Sequence, residues 1–261
     1  MDTESLTSFD GAAISYHTWR SDRPADAALP PVVLQHGFAA STESNWVHTG
    51  VVAALNAAGR DVIGVDARGH GRSQKGSDPS FFGERNMSRD HLALFDHLGL
   101  DQVDLVGYSM GAIISLLTAS HDPRVRRLVV GGVGAAVVEL GGVDTRATGG
   151  EGLAAALSTT DPSTLTGPGA AFRQFAEATG ADLPSLAAQA AAVHSGHIDV
   201  GAITAPTLLI AGDDDPLAVR PGTLSAAIPD AKLLGLPGDH LSVVGHPEFA
   251  PAVVDFLTRL S

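Results

Sequence analysis

The 261-residue sequence contains no cysteine, which excludes disulfide bonds, thiolate metal ligands and a cysteine nucleophile. Aromatic residues make up only 5% of the chain, whereas hydrophobic residues of all kinds make up 44%. We therefore expect a core built mainly from aliphatic side chains. Charged residues amount to 17%, as in an ordinary globular protein. At this length the chain can form one large domain around a single core.

Basic residues are also few, with 16 Lys and Arg against 29 Asp and Glu, and the formal net charge is -13. Such a surface repels phosphate backbones and anionic lipids, so we expect neither a nucleic acid nor a membrane as partner. No apolar run approaches the roughly 18 residues that span a bilayer. The first five residues resemble no secretory signal. We expect a soluble, cytoplasmic protein that acts on a small molecule, and the sequence leaves its oligomeric state open.

Patterns that would hold a metal or cofactor are missing too. The acidic run at residues 213–215 lacks the spacing and closing Glu of a calcium loop. His194 and His197 lack the Glu partner and the spacing of a zinc-binding helix, and residues 69–71 lack the remainder of a dinucleotide-binding fingerprint. The sequence therefore predicts no metal and no cofactor.

Short apolar runs alternate with helical patterns along most of the chain, which predicts an α/β fold with a mostly parallel, twisted sheet and helices on both faces. The predicted strands are Ala12–Trp19, Pro31–Gln35, Asp61–Val65, Val103–Val106, Val125–Val130, Thr207–Ile210 and Lys232–Leu236. The clearest helical patterns are Asn86–Leu98, Met110–Ser120 and Pro251–Leu260.

This alternation is interrupted once, and we expect residues 1–134 and 204–261 to form the core while residues 135–203 form a small inserted helical cap. Three Ala-rich helical patterns occupy the insertion, at Glu151–Ser158, Ala170–Thr179 and Leu183–His194. Its only aromatic residues are Phe172 and Phe175, which are three apart and can share a helical face. They either pack the cap onto the core or limit the substrate pocket.

The strongest functional signal is the sequence VDLVGYSMGA at residues 103–112, which matches G-x-S-x-G between a strand and a helix. A sharp turn at this point needs neighbours almost without side chains, and Gly107, Gly111 and Ala112 meet that need. Ser109 is thereby expected to project above the carboxyl edge of the sheet. The alternative is a serine that merely caps a helix. We predict that Ser109 is a nucleophile.

A serine hydroxyl needs a base held by a third group, and the C-terminal third supplies both. One strand ends in a turn with three carboxylates at residues 213–215, and His240 follows another strand. His246 is the rival base, but it precedes Pro247 and the final helix, which suits the start of that helix better. Backbone N–H groups of Phe38, in a loop after an early strand, and of Met110 are predicted to face a developing oxyanion.

With these motifs the sequence resembles the α/β-hydrolase superfamily along nearly the whole chain. The motifs that carry the resemblance are the turns at residues 36–38, 66–73, 107–111, 212–215 and 238–240. The resemblance implies that the acid lies three residues after Gly212, at Asp215, with Asp214 as the alternative. It also implies that His36 and His70 bond to backbone. We expect His91, His97 and His121 to lie solvated on surface helices.

Within that superfamily the chain is similar to bacterial esterases, lactonases and C–C hydrolases. The resemblance implies two-step acyl transfer on Ser109 with His240 as base and Asp215 as orienting acid. A serine at this turn argues against haloalkane dehalogenases and epoxide hydrolases, which carry aspartate there. We expect a carboxylic ester hydrolase. Lactone hydrolysis, perhydrolysis and C–C cleavage are alternatives on the same residues, as is a ligand receptor or signalling protein with negligible turnover.

Overall fold

A computed structural model describes residues 1–22, 29–148 and 152–258. Its centre is an eight-stranded sheet in the order β1-β2-β4-β3-β5-β6-β7-β8, in which β2 runs in the direction opposite to the other seven described strands. The strands are β1 (Asp2–Thr7), β2 (Ala13–Trp19), β3 (Val32–Gln35), β4 (Val62–Val65), β5 (Val103–Tyr108), β6 (Val125–Gly131), β7 (Thr207–Gly212) and β8 (Ala231–Leu236). The predicted fold class is confirmed, and so are all seven predicted strands to within two residues at each end.

The central strands are continuous apolar runs because both faces of the sheet are covered. In β3, Val33 packs into one hydrophobic cluster, whereas Val32 and Leu34 pack into a second cluster on the other face. All three are fully buried. This alternation follows from the two-residue period of a strand. The alternation of buried side chains fixes the register of the parallel strands, so the loops at their carboxyl ends lie at the same edge of the sheet.

Helices cover both faces. They are α1 (Val51–Ala57), α2 (Glu84–Leu98), α3 (Met110–Ala119), α4 (Ala136–Leu140), α5 (Thr145–Thr148), α6 (Gly152–Ser158), α7 (Gly167–Ala178), α8 (Leu183–Ala191), α9 (Pro221–Ala227) and α10 (Phe249–Thr258). Short 3₁₀ turns lie at Pro79–Phe81, Pro162–Thr164, Val200–Ala202 and Val243–Gly245, and a π turn lies at Glu43–Val47. One predicted helix begins at Glu151 and another ends at Leu260. Both of these termini lie outside the described residues. Within the described ranges, no helix is both long enough and apolar enough to cross a membrane.

The expectation that His91 is solvated is wrong. His91 lies on the inner side of α2 and has no exposed surface. One ring nitrogen lies 3.0 Å from the Thr118 hydroxyl and the other 2.9 Å from the Gln35 side-chain oxygen. Burial lowers the pKa of His91 to about 3, so the ring is neutral. Both ring nitrogens have hydrogen-bond partners, and these hydrogen bonds offset the free-energy cost of burying the polar ring.

A buried ion pair ties β5 to the end of the chain. Asp104 is fully buried in β5, with its carboxylate 2.6 Å from one nitrogen of Arg60 and 2.6 Å from one of Arg126. Both guanidinium groups also donate to the carbonyl oxygen of Leu257 at the end of α10, at 3.0 and 2.9 Å. Two cations and one buried carboxylate therefore connect three parts of the core.

Helices α4 to α8 lie between β6 and β7, and no strand occurs among the described residues of this segment. We use the name cap for residues 135–203, and the division of the chain into core and cap at these boundaries stays a prediction. Leu153 and Leu186 of the cap pack with Ala39, which lies in the loop after β3. Several hydrogen bonds fasten the cap to the core, among them one from Gly83 N to the Gln189 side chain at 2.8 Å and one from the Thr179 hydroxyl to the Ala39 carbonyl at 3.0 Å.

Candidate active site

The turn from β5 into α3 holds Ser109 in a backbone conformation that side chains rarely adopt, with φ +55° and ψ −118°. Its neighbours show why the motif needs glycine. A Cβ on Gly107 would overlap the Gly111 carbonyl, and one on Gly111 would overlap the Gln35 carbonyl of β3. The strained turn therefore depends on close approach of backbone to backbone on both sides. Ser109 is 8% exposed and faces the cavity described below.

Ser109, His240 and Asp215 lie together although they come from three loops. His240 Nε2 lies 2.9 Å from Ser109 Oγ, and His240 Nδ1 lies 2.9 and 3.0 Å from the two oxygens of Asp215. Asp215 is 6% exposed and also accepts a hydrogen bond from the backbone N–H of Leu217 at 2.8 Å. This geometry allows His240 to take the serine proton while the carboxylate stabilises the resulting imidazolium.

The alternative acid and base lie elsewhere. Asp213 and Asp214 are exposed on the turn after β7. His246 lies immediately before α10, where its Nδ1 accepts from the Glu248 N–H at 3.2 Å and its carbonyl accepts from the Phe249 N–H at 2.9 Å. His246 therefore serves the start of the final helix, as its position before Pro247 suggested.

Two residues that the sequence analysis did not single out position His240. The Tyr108 hydroxyl donates to the His240 carbonyl at 2.6 Å, and burial raises the pKa of this phenol well above its usual value. Gly132, directly after β6, has φ +69°, and a Cβ there would lie 2.9 Å from His240 Cε1. The only sequence signal for Gly132 was its place in a glycine pair at the end of a strand, which does not reveal the contact.

The loop after β3 approaches Ser109 closely. A Cβ on Gly37 would lie 3.3 Å from Ser109 Cβ, which is a tight contact, and the Gly37 N–H donates to the Asn45 side chain at 2.9 Å. Phe38 follows Gly37 and lines the same cavity as Ser109 and Met110. Met110 is the first residue of α3, a position whose N–H has no partner inside a helix. Both candidate oxyanion donors thus belong to residues close to Ser109.

His36 and His70 bond to backbone, as the sequence predicted. His36 Nε2 accepts from the Ala67 N–H at 3.0 Å, and His70 Nε2 accepts from the Ala39 N–H at 3.2 Å. Burial lowers the pKa of His36, and it lowers that of His70 to about 3, so both rings stay neutral and can accept. They link the loop after β3 to the turn after β4, which fixes the position of Phe38.

A cavity of about 550 Å³ lies over Ser109, between the core and the cap. Most of the side chains that line it are apolar, among them Phe38, Met110, Leu153, Phe172 and Leu217. The Phe172 and Phe38 rings meet edge to face with their centres 6.2 Å apart. The neighbouring Phe175 packs in the same hydrophobic cluster but does not line this cavity. Among the described residues, no group of three or more His, Asp or Glu side chains is arranged to hold a metal ion.

The fold and these turns match known proteins. A family model described as "alpha/beta hydrolase fold" matches residues 30–139. The chain is 41% identical over 107 residues to the sn-1-specific diacylglycerol lipase ABHD11 of Mus musculus, a match that covers 40% of this chain and 33% of that protein. It is 36% identical over 103 residues to epoxide hydrolase B of Mycobacterium tuberculosis, covering 40% and 28%. The match therefore spans about a third of the length of these relatives.

Among solved structures, a hydrolase from Pseudomonas aeruginosa superposes with a TM-score of 0.76 at 26% sequence identity, and 99% of each chain is covered. An esterase from Exiguobacterium antarcticum superposes with a TM-score of 0.78 at 21% identity, covering 98% of this chain and 99% of the other. The second likeness bears on the fold alone. Together with the family model, these findings show that the chain belongs to the α/β-hydrolase superfamily.

Proposed function

We propose that this protein is a serine hydrolase that cleaves a carboxylic ester of a small molecule through an acyl-enzyme on Ser109. The observation that carries the proposal is the pair of contacts at His240, with Ser109 Oγ 2.9 Å from one ring nitrogen and the Asp215 carboxylate 2.9 Å from the other. This arrangement supplies a nucleophile, a base and an orienting acid in one hydrogen-bonded chain. The nucleophile opens into a cavity lined largely by apolar side chains, which suits a small organic substrate.

In the first step His240 Nε2 accepts the Ser109 proton as the oxygen attacks the ester carbonyl. The backbone N–H groups of Phe38 and Met110 are the proposed donors to the oxyanion of the tetrahedral intermediate. His240 then gives the proton to the leaving alcohol, and the acyl group stays on Ser109. In the second step His240 takes a proton from water as the water oxygen attacks the acyl-enzyme. His240 then returns this proton to Ser109 Oγ as the bond to the acyl group breaks and the acid is released. Asp215 stays ionised throughout and holds the ring in place.

An acyl-enzyme mechanism also accommodates a lactone, which is a cyclic ester, so the substrate panel for testing the proposal includes lactones. The relatives include an epoxide hydrolase and a lipase by name. We favour ester hydrolysis over epoxide hydrolysis, because the side chain at the turn between β5 and α3 is Ser109, paired with His240. An epoxide is therefore the negative control in the same panel.

The proposal is tested by release of nitrophenol from short-chain nitrophenyl esters. Ser109→Ala and His240→Ala are each expected to lower kcat by on the order of 10⁴-fold, and Asp215→Asn by less, because the three residues act as a unit. The double variant Ser109→Ala/His240→Ala should be hardly slower than either single variant. His246→Ala is the matched control and should retain activity. Turnover that survives Ser109→Ala, or is lost in His246→Ala but not in His240→Ala, contradicts the assignment.

A further inference from the structure

The wall of the cavity contains one carboxyl group that the proposed acyl transfer does not use. Glu84 is the first residue of α2 and is 1% exposed, and Gln189 of the cap, also 1% exposed, lies beside it in the wall. Among the described residues that line this cavity, Glu84 is the only acid, and no Lys, Arg or His lines it. A carboxyl group is costly to bury in apolar surroundings, so its presence here calls for a partner.

The protein groups that contact Glu84 are all hydrogen-bond donors. The backbone N–H of His194 donates to Glu84 Oε2 at 2.7 Å, and the Gln189 side-chain amide lies beside the carboxyl group. The two oxygens of a carboxylate offer about four acceptor positions. The donors in contact with it do not fill these positions, and no ion pair to Glu84 forms within the described part of the chain. Burial raises the pKa of Glu84 to about 7.

Gln189 is oriented by a separate contact. Its side-chain oxygen accepts from the Gly83 N–H at 2.8 Å, so its amide NH₂ end is directed to Glu84. The Glu84 carboxyl is thus held between the start of α2 and the cap by groups that cannot themselves accept from it. In its ionised form this carboxylate can still take a group that donates a hydrogen bond.

The geometry points to a polar subsite, formed by Glu84 and oriented by Gln189, that accepts a hydrogen bond from a hydroxyl or ammonium group carried by the ester substrate. This inference rests on the proposed function, because it assigns a substrate class to the same cavity. A substrate that carries a carboxylate at that place is disfavoured by repulsion between like charges. An unsubstituted alkyl chain leaves the acceptor unpaired and is bound less well.

The test compares methyl esters of one chain length by acid release in a pH-stat. The substrates are methyl hexanoate, methyl 3-hydroxyhexanoate, methyl 6-hydroxyhexanoate, methyl 6-aminohexanoate and monomethyl adipate. At least one ester with a donor group is expected to show kcat/KM about tenfold or more above that of methyl hexanoate, mainly through KM. Monomethyl adipate should fall below methyl hexanoate. Comparison of the hydroxy and amino esters shows which donor the subsite takes.

Glu84→Gln should remove this preference, measured as the ratio of kcat/KM for the preferred donor ester to kcat/KM for methyl hexanoate. Asp96→Asn is the matched control, because it removes an exposed carboxylate from the same helix, away from the cavity, and should keep the preference. If Glu84 only fastens the cap, Glu84→Gln lowers the melting temperature and leaves the substrate ratio unchanged, which overturns the inference. Should Glu84→Gln fail to fold, Glu84→Asp keeps the charge but shortens the side chain, and the preference should weaken.

The outcomes separate this inference from the proposed function. Ser109-dependent hydrolysis with no preference for donor groups overturns the subsite and leaves the serine hydrolase standing. If no ester is hydrolysed, the proposed function fails. The subsite is then tested by calorimetry, with the protein binding 6-hydroxyhexanamide about tenfold or more tightly than hexanamide only while Glu84 is present. Equal affinity for the two amides overturns it.

Discussion

Gly132 offers a sharp test of whether the position of His240 controls turnover. In Gly132→Ala the new methyl group would lie 2.9 Å from His240 Cε1 and 2.8 Å from Tyr108 Cζ. Ordinary carbon contacts are about 3.5 Å or longer, so the imidazole has to move by at least about 0.5 Å. A misplacement of about 1 Å in a catalytic group can cost about 100-fold in rate. We expect kcat to fall by about 10- to 100-fold, with a smaller change in KM.

The same substitution also strains the backbone, because Gly132 has φ +69°. Alanine in this region costs about 1–2 kcal/mol, and that cost has to be separated from the contact with His240. Gly11→Ala is the matched control. Gly11 has φ +90°, and a Cβ there meets nothing within 4 Å. It should lose stability by a similar amount and keep full activity.

The assay is steady-state release of nitrophenol from a short-chain ester by both variants, with the melting temperature of each as a measure of folding. The expected pattern is similar loss of stability in both and loss of kcat in Gly132→Ala alone. If Gly132→Ala keeps kcat within about twofold of the parent, His240 tolerates displacement and our account of its positioning is refuted. If Gly11→Ala loses as much activity as Gly132→Ala, general loosening of the fold explains both.

Three further predictions concern stability and the cavity. Asp104→Ala leaves Arg60 buried without its carboxylate, so the unfolding free energy measured in urea should fall by about 3–5 kcal/mol. Phe172→Ala should shift kcat/KM toward longer acyl chains by about 1–3 kcal/mol at most, whereas Phe175→Ala, which does not line the cavity, should keep the parent profile and lose only thermal stability. The raised pKa of Glu84, about 7 in the folded protein, means that the folded state holds this proton more tightly than the unfolded one. Its contribution to stability is therefore present below the unfolded pKa of about 4.3 and lost as the pH rises toward 7. Glu84→Gln should flatten that part of the stability profile, and an unchanged slope would show that the carboxyl titrates normally.

The elements that could be predicted from the sequence are those whose signal is local. A strand covered on both faces is a run of aliphatic residues, and the turn at Ser109 requires small residues at fixed offsets, so neither depends on distant parts of the chain. The strand β1 gave no such signal. It lies at the edge of the sheet and only Leu6 among its six residues is buried, so its polar sequence resembles a loop. Its pairing with β2 comes from the tertiary structure.

The features that escaped prediction depend on contacts between residues far apart in the sequence. His91 looks like a surface residue on an amphipathic helix, because the sequence does not show that Gln35 and Thr118 lie within reach of its ring. Glu84 likewise resembles an ordinary acidic residue in the first turn of a helix. Only the fold places it in a cavity wall, against a backbone N–H 110 residues away.

The cap interrupts a single connection, the one between β6 and β7, and those two strands pair with each other directly, from Leu128 with Thr207 to Gly131 with Ile210. The sheet thus closes across the insertion, and the ladder between β6 and β7 uses no hydrogen bond from the described residues of the insertion. The entropy cost of a longer connection grows only slowly with its length, by about 0.6 kcal/mol for each doubling. The length of the connection between β6 and β7 can therefore change at little cost to the pairing of these strands. Helices between β6 and β7 can be exchanged or resized to suit another substrate, while the strands that carry Ser109, Asp215 and His240 keep their places.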